Sequence, residues 1–207
     1  MPETLPTANT APGEGLRERK RRETRQRIAE TGLRLFLANG YEGTTLDTIA
    51  AEAGISRRTF FSYFKSKDDI VLFWMDANWA SIYTELLKVS PDVAPLDAVC
   101  DVMLEHSARY TAEEMTAIDR LMRSSDSLLS LKPAFYAKQE QALFSTLCEV
   151  WRQPERRAAL HMVAMVSIGA VRLATQAWND QGSQRQPVAA LLKQAFDGLK
   201  AEIQSAS

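Results

Sequence analysis

Apolar residues recur at three- and four-residue spacings along almost the whole chain, and no stretch alternates long enough to suggest a strand. That spacing lines one face of a 3.6-residue helix, so the chain is predicted to be all-α. The first helix carries Ile28, Gly32, Leu35 and Phe36 on one face and ends at "NGYEGTT", where Asn39 and Gly40 suit the left-handed backbone of a helix C-terminus. Thr45 caps a short helix near 46–53, Gly54 closes it, and Ser56 caps another near 57–64. Ser66 with Asp69 resembles a capping box at the start of a longer helix, and Asp68 and Asp69 complement its dipole. Pro95, Pro154 and Pro187 suit first helical positions, and Thr111 with Glu114 forms a second capping box. Further helices are expected near 95–108, 112–124, 132–152, 155–180 and 187–204. The predicted organisation is a tail over 1–16, a three-helix unit over 17–66, and a bundle of roughly six helices over 67–207.

The two short helices joined by "EAGIS" have the layout of a helix-turn-helix. Phe60 and Phe64, four apart, share the inner face of the second helix. The outward arc then holds Arg57, Arg58, Thr59, Ser62 and Tyr63, with Phe61 at its border. Arginine can bond guanine O6 and N7 bidentately, and hydroxyls can reach bases or phosphates. Arg57 and Arg58 sit where their charge opposes the helix dipole, so helix stability does not account for them. A solvated basic turn is the plainer alternative for this arc.

Composition adds two points. The 207 residues carry a net charge of −1, yet Arg17, Arg19, Lys20, Arg21, Arg22, Arg25 and Arg27 cluster against only Glu18 and Glu23. Two readings are open: a solvated helix laced by Glu18–Arg22 and Glu23–Arg27 pairs, or a flexible arm that follows phosphates or enters a minor groove. Cys100 and Cys148 lack CxxC spacing and read as buried thiols of a reducing, cytoplasmic protein; His106 and His161 have no nearby ligand partners. No metal site, phosphate loop or nucleophile elbow is expected, nor any cofactor. No apolar run reads as a membrane span, and Met1 to Gly15 reads as a disordered tail without a secretory h-region.

The stretch "RIAETGLRLFLANGYEGTTLDTIAAEAGISRRTFFSYFKSKDDIV", Arg27 to Val71, resembles the N-terminal domain of the tetracycline-repressor (TetR) family of bacterial regulators. The resemblance includes Phe36, Gly40, Tyr41, Thr44, Thr45, Ile49, Ala50, Gly54, Phe64 and Lys67. It implies a DNA-reading helix using Arg57, Arg58, Thr59, Phe61 and Tyr63, with Thr45 and Lys67 touching phosphates; Arg19, Lys20 and Arg22 join them if the basic segment contacts DNA. Phe61 stands where tyrosine is common, Arg58 where glycine or proline is common, and Gly32 where alanine is common.

The remaining chain is rich in aromatics and methionines, which suit either core or an adaptable apolar pocket. The resemblance implies such a pocket, with Trp74, Trp79, Met103, His106, Tyr110, Met122, Phe144, Met165, Arg172 and Trp178 as candidate lining. "SRRTFFSYFKSKDD" is similar to a subset of the family with acyl-CoA-like effectors. Val163, Ser167, Ala170, Ala174 and Ala177 form a stripe of small residues, and Leu192, Phe196, Leu199 and Ile203 an apolar one. Packing within one chain and pairing of two chains are both open from the residues. The family implies a homodimer through the last two helices, hence a palindromic DNA operator. The expected function is a ligand-responsive repressor. A DNA-binding regulator without a small-molecule effector and a helical-bundle enzyme are the alternatives.

Overall fold

The computed structural model describes residues 15–181 and 186–205. The expected tail falls outside them except for its last two residues. The described residues form α-helices and no strand: α1 Leu16–Asn39, α2 Leu46–Glu52, α3 Arg57–Phe61, α4 Lys67–Leu86, α5 Pro95–Ser107, α6 Ala112–Arg123, α7 Asp126–Val150, α8 Arg157–Asp180 and α9 Val188–Ser205, with a 3-10 turn at Pro154–Arg156 before α8.

The described chain divides into two compact units. One runs from the first described residue to Ala80 and takes in Ala117–Ser130; the other comprises Ser81–Thr116 and the chain from Leu131 onward. The first unit therefore reaches past the short helix pair into α4, and regains the chain at the end of α6 and the first turn of α7.

In the first unit, Ile28, Leu35 and Phe36 of α1 are buried with Ile49 and Ala50 of α2, Phe60 and Phe64 around α3, and Ile70 and Val71 of α4. The Thr44 hydroxyl donates to the carbonyls of Leu35 (3.2 Å) and Gly40 (2.8 Å), partnering carbonyls at the end of α1. Gly32 lies where α1 meets α4. A Cβ there would stand 2.9 Å from Ile70 Cδ1 and 3.1 Å from Ile70 Cγ2, so the missing methyl is what lets α4 approach. This gives a packing reason for glycine at a position where helix propensity alone favours alanine.

In the second unit α5, α8 and α9 pack on one another. Ser167, Ala170 and Ala174 of the small-residue stripe are buried within this single chain, with Leu191, Leu192 and Phe196 of α9 also in the core. Close helix approach inside the unit therefore uses these small residues. The outer face of α8 instead exposes Met162, Met165 and Leu173, the last 63% exposed. Trp151 is fully enclosed, and its indole N–H donates to the carbonyls of Pro91 (2.9 Å) and Val93 (3.1 Å), fastening the loop before α5.

Several boundaries differ from the sequence reading. α3 is one turn shorter than expected, although Phe64 N–H still donates to Phe60 O at 3.1 Å. α7 starts at Asp126 and runs through Pro133, near which the sequence predicts a helix start. Proline lacks the N–H that would bond Leu129 O, but both residues are exposed, so water can serve that carbonyl. Pro187 precedes α9 instead of opening it, its carbonyl accepting from Leu191 N–H. The stretch Pro154–Asp180 is longer and more apolar than the sequence reading allowed, enough by length and composition alone to cross a membrane, a test that a core helix also passes; Leu160, Ala164, Ile168 and Trp178 within it are buried. Cys100 is buried, which raises its thiol pKa, while Cys148 is only half-buried, contrary to the expected pair of buried thiols.

Candidate DNA-binding surface

The turn between α2 and α3 is set by Gly54, whose φ of 67° is the left-handed region that side chains disfavour. Its consequence is local: Ile55 N–H reaches back to Ala50 O at 2.9 Å, and the chain enters α3 at Ser56. The Ser56 hydroxyl caps α3 by accepting from Thr59 N–H at 3.1 Å, and it also bonds Thr59 Oγ1 at 2.8 Å. Thr45 does the same for α2, accepting from Thr48 N–H at 3.1 Å and bonding Thr48 Oγ1 at 2.8 Å.

With its N-terminus capped, α3 presents two faces. Phe60 and Phe64 are fully enclosed, their rings 6.1 Å apart, and Phe64 meets Phe73 of α4 edge-on at 5.7 Å. Opposite them Arg57 and Arg58 are exposed, Thr59 and Tyr63 half-buried, and Phe61 is 47% exposed while its ring abuts Phe60 edge-on. Phe61 thus contributes to both faces: one edge on the core, the other in solvent.

Sequence reasoning missed an ion pair on this surface. Arg57 Nη1 donates to both carboxylate oxygens of Asp47 in the first turn of α2, at 3.1 and 2.8 Å, and its guanidinium lies 5.8 Å from the centre of the Phe61 ring. Ten residues separate the pair in sequence. Only the angle between the two helices brings them together.

Lys67 is also placed differently from a free surface cation. Its ammonium donates to the Tyr41 carbonyl at 2.7 Å and sits 4.2 Å from that ring's centre. The Tyr41 hydroxyl donates to Asp68 in the first turn of α4, and the Ser127 hydroxyl donates to the other Asp68 oxygen at 2.5 Å. Burial first, and the Asp68 carboxylate next, hold the Tyr41 phenol well above its ordinary pKa. The expected Ser66–Asp69 box is present in altered form: Asp69 N–H donates to Ser66 Oγ at 3.2 Å, while the Asp69 carboxylate accepts from Lys65 N–H at 2.8 Å.

The basic segment is helical. Leu16 to Arg27 are the first three turns of α1, so its described part is a continuation of that helix. Arg19, Lys20 and most of its cations are exposed, and Arg22 is half-buried. Glu23 pairs back to Arg19 at 3.6 Å, where the spacing suggests a forward pair with Arg27. Arg25 lies over the rings of Phe64 (5.2 Å) and Phe73 (4.6 Å), joining α1 to the core beneath α3.

The ten candidate pocket residues are divided between the two compact units. Trp74, Trp79 and Met122 belong to the first unit; the other seven belong to the second. There, Met103 and Trp178 are buried, whereas Met165 and Arg172 lie exposed on α8. Phe144 stacks on His161 at 4.6 Å beneath Arg157. His106 and Tyr110 meet with ring centres 5.8 Å apart. Ser81 Oγ lies 3.3 Å from His106 Nδ1, and His106 Nε2 is buried without a hydrogen-bond partner. Burial first, and the Arg109 charge second, lower the His106 pKa, which favours the neutral ring.

Comparison with known proteins bears on this surface. The family model described as "Bacterial regulatory proteins, tetR family" matches residues 28–72. The chain is similar to the HTH-type transcriptional regulator TcmR of Streptomyces glaucescens, 46% identical over 118 residues, covering 56% of this chain and 52% of TcmR. It thus spans about half the length of that relative. Its fold is similar to that of a TetR-family regulator from Mesorhizobium loti, at TM-score 0.57 and 18% identity, covering 88% of this chain and 96% of the other. It is likewise similar to Thermus thermophilus FadR, a TetR-family repressor solved with lauroyl-CoA, at TM-score 0.57 and 20% identity, covering 84% of this chain and 91% of the other. The stretch that matches the tetR-family model, residues 28–72, takes in most of α1, all of α2 and α3 and the start of α4, so the capped helix pair and its exposed basic arc lie within it.

Proposed function

We propose that the protein is a cytoplasmic, dimeric repressor that leaves a palindromic DNA operator when an apolar small molecule binds its C-terminal bundle. The observation that carries this reading is the division of α3: two enclosed phenylalanines fix the helix, and every remaining large side chain on it reaches solvent. Arg57 and Arg58 are assigned to base edges, Thr59 and Tyr63 to bases or phosphates, and Phe61 to a thymine methyl. Thr45, Arg19, Lys20 and Arg22 are assigned to phosphates. Lys67 joins them through ammonium protons not given to the Tyr41 carbonyl.

The exposed α8 face of Met162, Met165 and Leu173, with Ile203 of α9, is the dimer surface in this reading. A twofold axis there makes the operator palindromic. The effector is an apolar molecule carrying one polar group for His106 Nε2. Acyl-CoA esters are the first to assay, because lauroyl-CoA occupies the Thermus fold neighbour. Release requires the ligand to favour the non-binding conformation, typically by ~1–3 kcal/mol, and DNA must weaken ligand binding by the same factor.

The test is selection of duplexes from a randomised pool by the purified chain. Enrichment of a palindrome, abolished by Arg57→Ala and Arg58→Ala, is the expected result. No enrichment by the wild-type chain would sink the DNA-binding assignment. Titrating acyl-CoA esters into the complex then tests release; undiminished operator affinity at saturating ligand would remove the acyl-CoA proposal.

A further inference from the structure

We infer that Asp47 is a positioning residue for sequence reading: it holds the Arg57 guanidinium in the orientation that meets a base. The inference rests on the DNA-binding reading above and concerns how one residue of that surface is aimed.

Arg57 has a reason to wander. It is exposed, sits at the first position of α3, and its charge is repelled by the positive end of that helix. A long side chain in that setting samples many rotamers, and ordering it on DNA costs entropy. Two neighbours restrict it here. The Asp47 carboxylate takes Nη1 with both oxygens, and the Phe61 ring lies 5.8 Å from the guanidinium carbon. Asp47 is itself placed favourably, in the first turn of α2 behind the Thr45 cap.

The chemistry of the pair decides what it can do. Arginine offers two forks to a guanine, one formed by Nη1 and Nη2, the other by Nε and Nη2. Asp47 uses Nη1 alone, so the Nε–Nη2 edge keeps its donors for O6 and N7. A carboxylate beside a DNA-facing helix also repels phosphates. Asp47 therefore works against general affinity for DNA while favouring one geometry of Arg57. A residue with that pair of effects raises the ratio of specific to non-specific binding.

As an exposed ion pair, Asp47–Arg57 should matter little to folding. A purely structural role would therefore leave DNA discrimination unchanged, and the two roles separate cleanly. The test uses the duplex that the wild-type chain selects from a randomised pool, single-base variants of it, and an unrelated duplex. Asp47→Ala, Asp47→Asn, Arg57→Ala and the double variant Asp47→Ala with Arg57→Ala are compared by fluorescence anisotropy, with melting temperature as the folding check.

Asp47→Ala should reduce discrimination at the base pair that Arg57→Ala flattens by about 2- to 10-fold, within the range shown by coupled neighbours. It should also raise affinity for the unrelated duplex. Asp47→Asn, which keeps an acceptor oxygen, should fall between. In the Arg57→Ala background, Asp47→Ala should leave discrimination at that base pair unaltered. Unchanged discrimination in Asp47→Ala, or an equal reduction in both backgrounds, overturns the inference. If the wild-type chain selects no sequence, the regulator reading fails instead, so the two failures are distinguishable.

Discussion

Replacing Gly32 by alanine sets two well-defined effects against each other. Alanine in place of glycine inside a helix is worth about 1 kcal/mol in propensity. Against it stands the added methyl, 2.9 Å from Ile70 Cδ1 and 3.1 Å from Ile70 Cγ2. Cδ1 ends a flexible chain and can rotate away. Cγ2 is attached at Cβ and moves only with χ1 or with α4 itself, and Ile70 is fully enclosed. Overpacking of this kind costs roughly 1–3 kcal/mol, so the net destabilisation should be about 1 kcal/mol. For a chain of this size that lowers the melting temperature by roughly 2–4 °C. Urea unfolding followed by circular dichroism gives the same quantity at fixed temperature. The decisive comparison adds Ile70→Ala, which removes both Cδ1 and Cγ2 and by itself costs about 2–5 kcal/mol. In that background Gly32→Ala should cost close to nothing. A Gly32→Ala chain more stable than wild type, or an equal cost in both backgrounds, would refute the steric account.

Other outcomes follow from the same structure. Phe60→Ala should destabilise by about 3–5 kcal/mol, seen in denaturant midpoints, because its ring is wholly enclosed. Phe61→Ala should keep far more stability and show its effect in DNA affinity. Replacing Arg19, Lys20 and Arg22 by alanine should flatten the logarithmic salt dependence of binding by about 0.9 for each phosphate no longer neutralised, with base discrimination retained. Lowering pH should weaken the fold through His106. Its folded pKa lies below the ordinary value of about 6.5, so the neutral-ring contribution is complete above that value and disappears as pH falls through the depressed one. His106→Gln should make stability less pH-dependent in that acidic range, read from melting temperatures across a pH series. On the proposed pairing through α8, Leu173→Glu should shift the sedimenting species from dimer to monomer while leaving helix content intact.

The helices are legible because their signals are local. Thr45, Ser56 and Thr111 announce caps within three residues, and the structure closes each of those bonds. The enclosed and outward faces of α3 follow from a four-residue spacing. The start of α7 escapes the pattern because sequence cannot show that the carbonyl one turn before Pro133 is exposed to water. The small residues of α8 could equally serve one chain or two; Ser167, Ala170 and Ala174 are buried within the chain, which assigns them to the first use. The pairing of Arg57 with Asp47 and the capture of Lys67 by Tyr41 span 10 and 26 residues. Such pairs depend on interhelical angles, which no local pattern encodes.

Asp68 accepts from Tyr41, before α2, and from Ser127, in the first turn of α7. Its two partners therefore come from distant parts of the chain that belong to the same compact unit. Anyone grafting this helix pair onto a foreign domain meets a practical consequence. A junction at residue 66 would transplant Tyr41 without either Asp68 or Ser127, and no single cut releases the unit whole. Chimaeras that carry the donor's Lys67 and Asp68, with a serine supplied at the position of Ser127, should outlast those spliced at the end of the short helix pair.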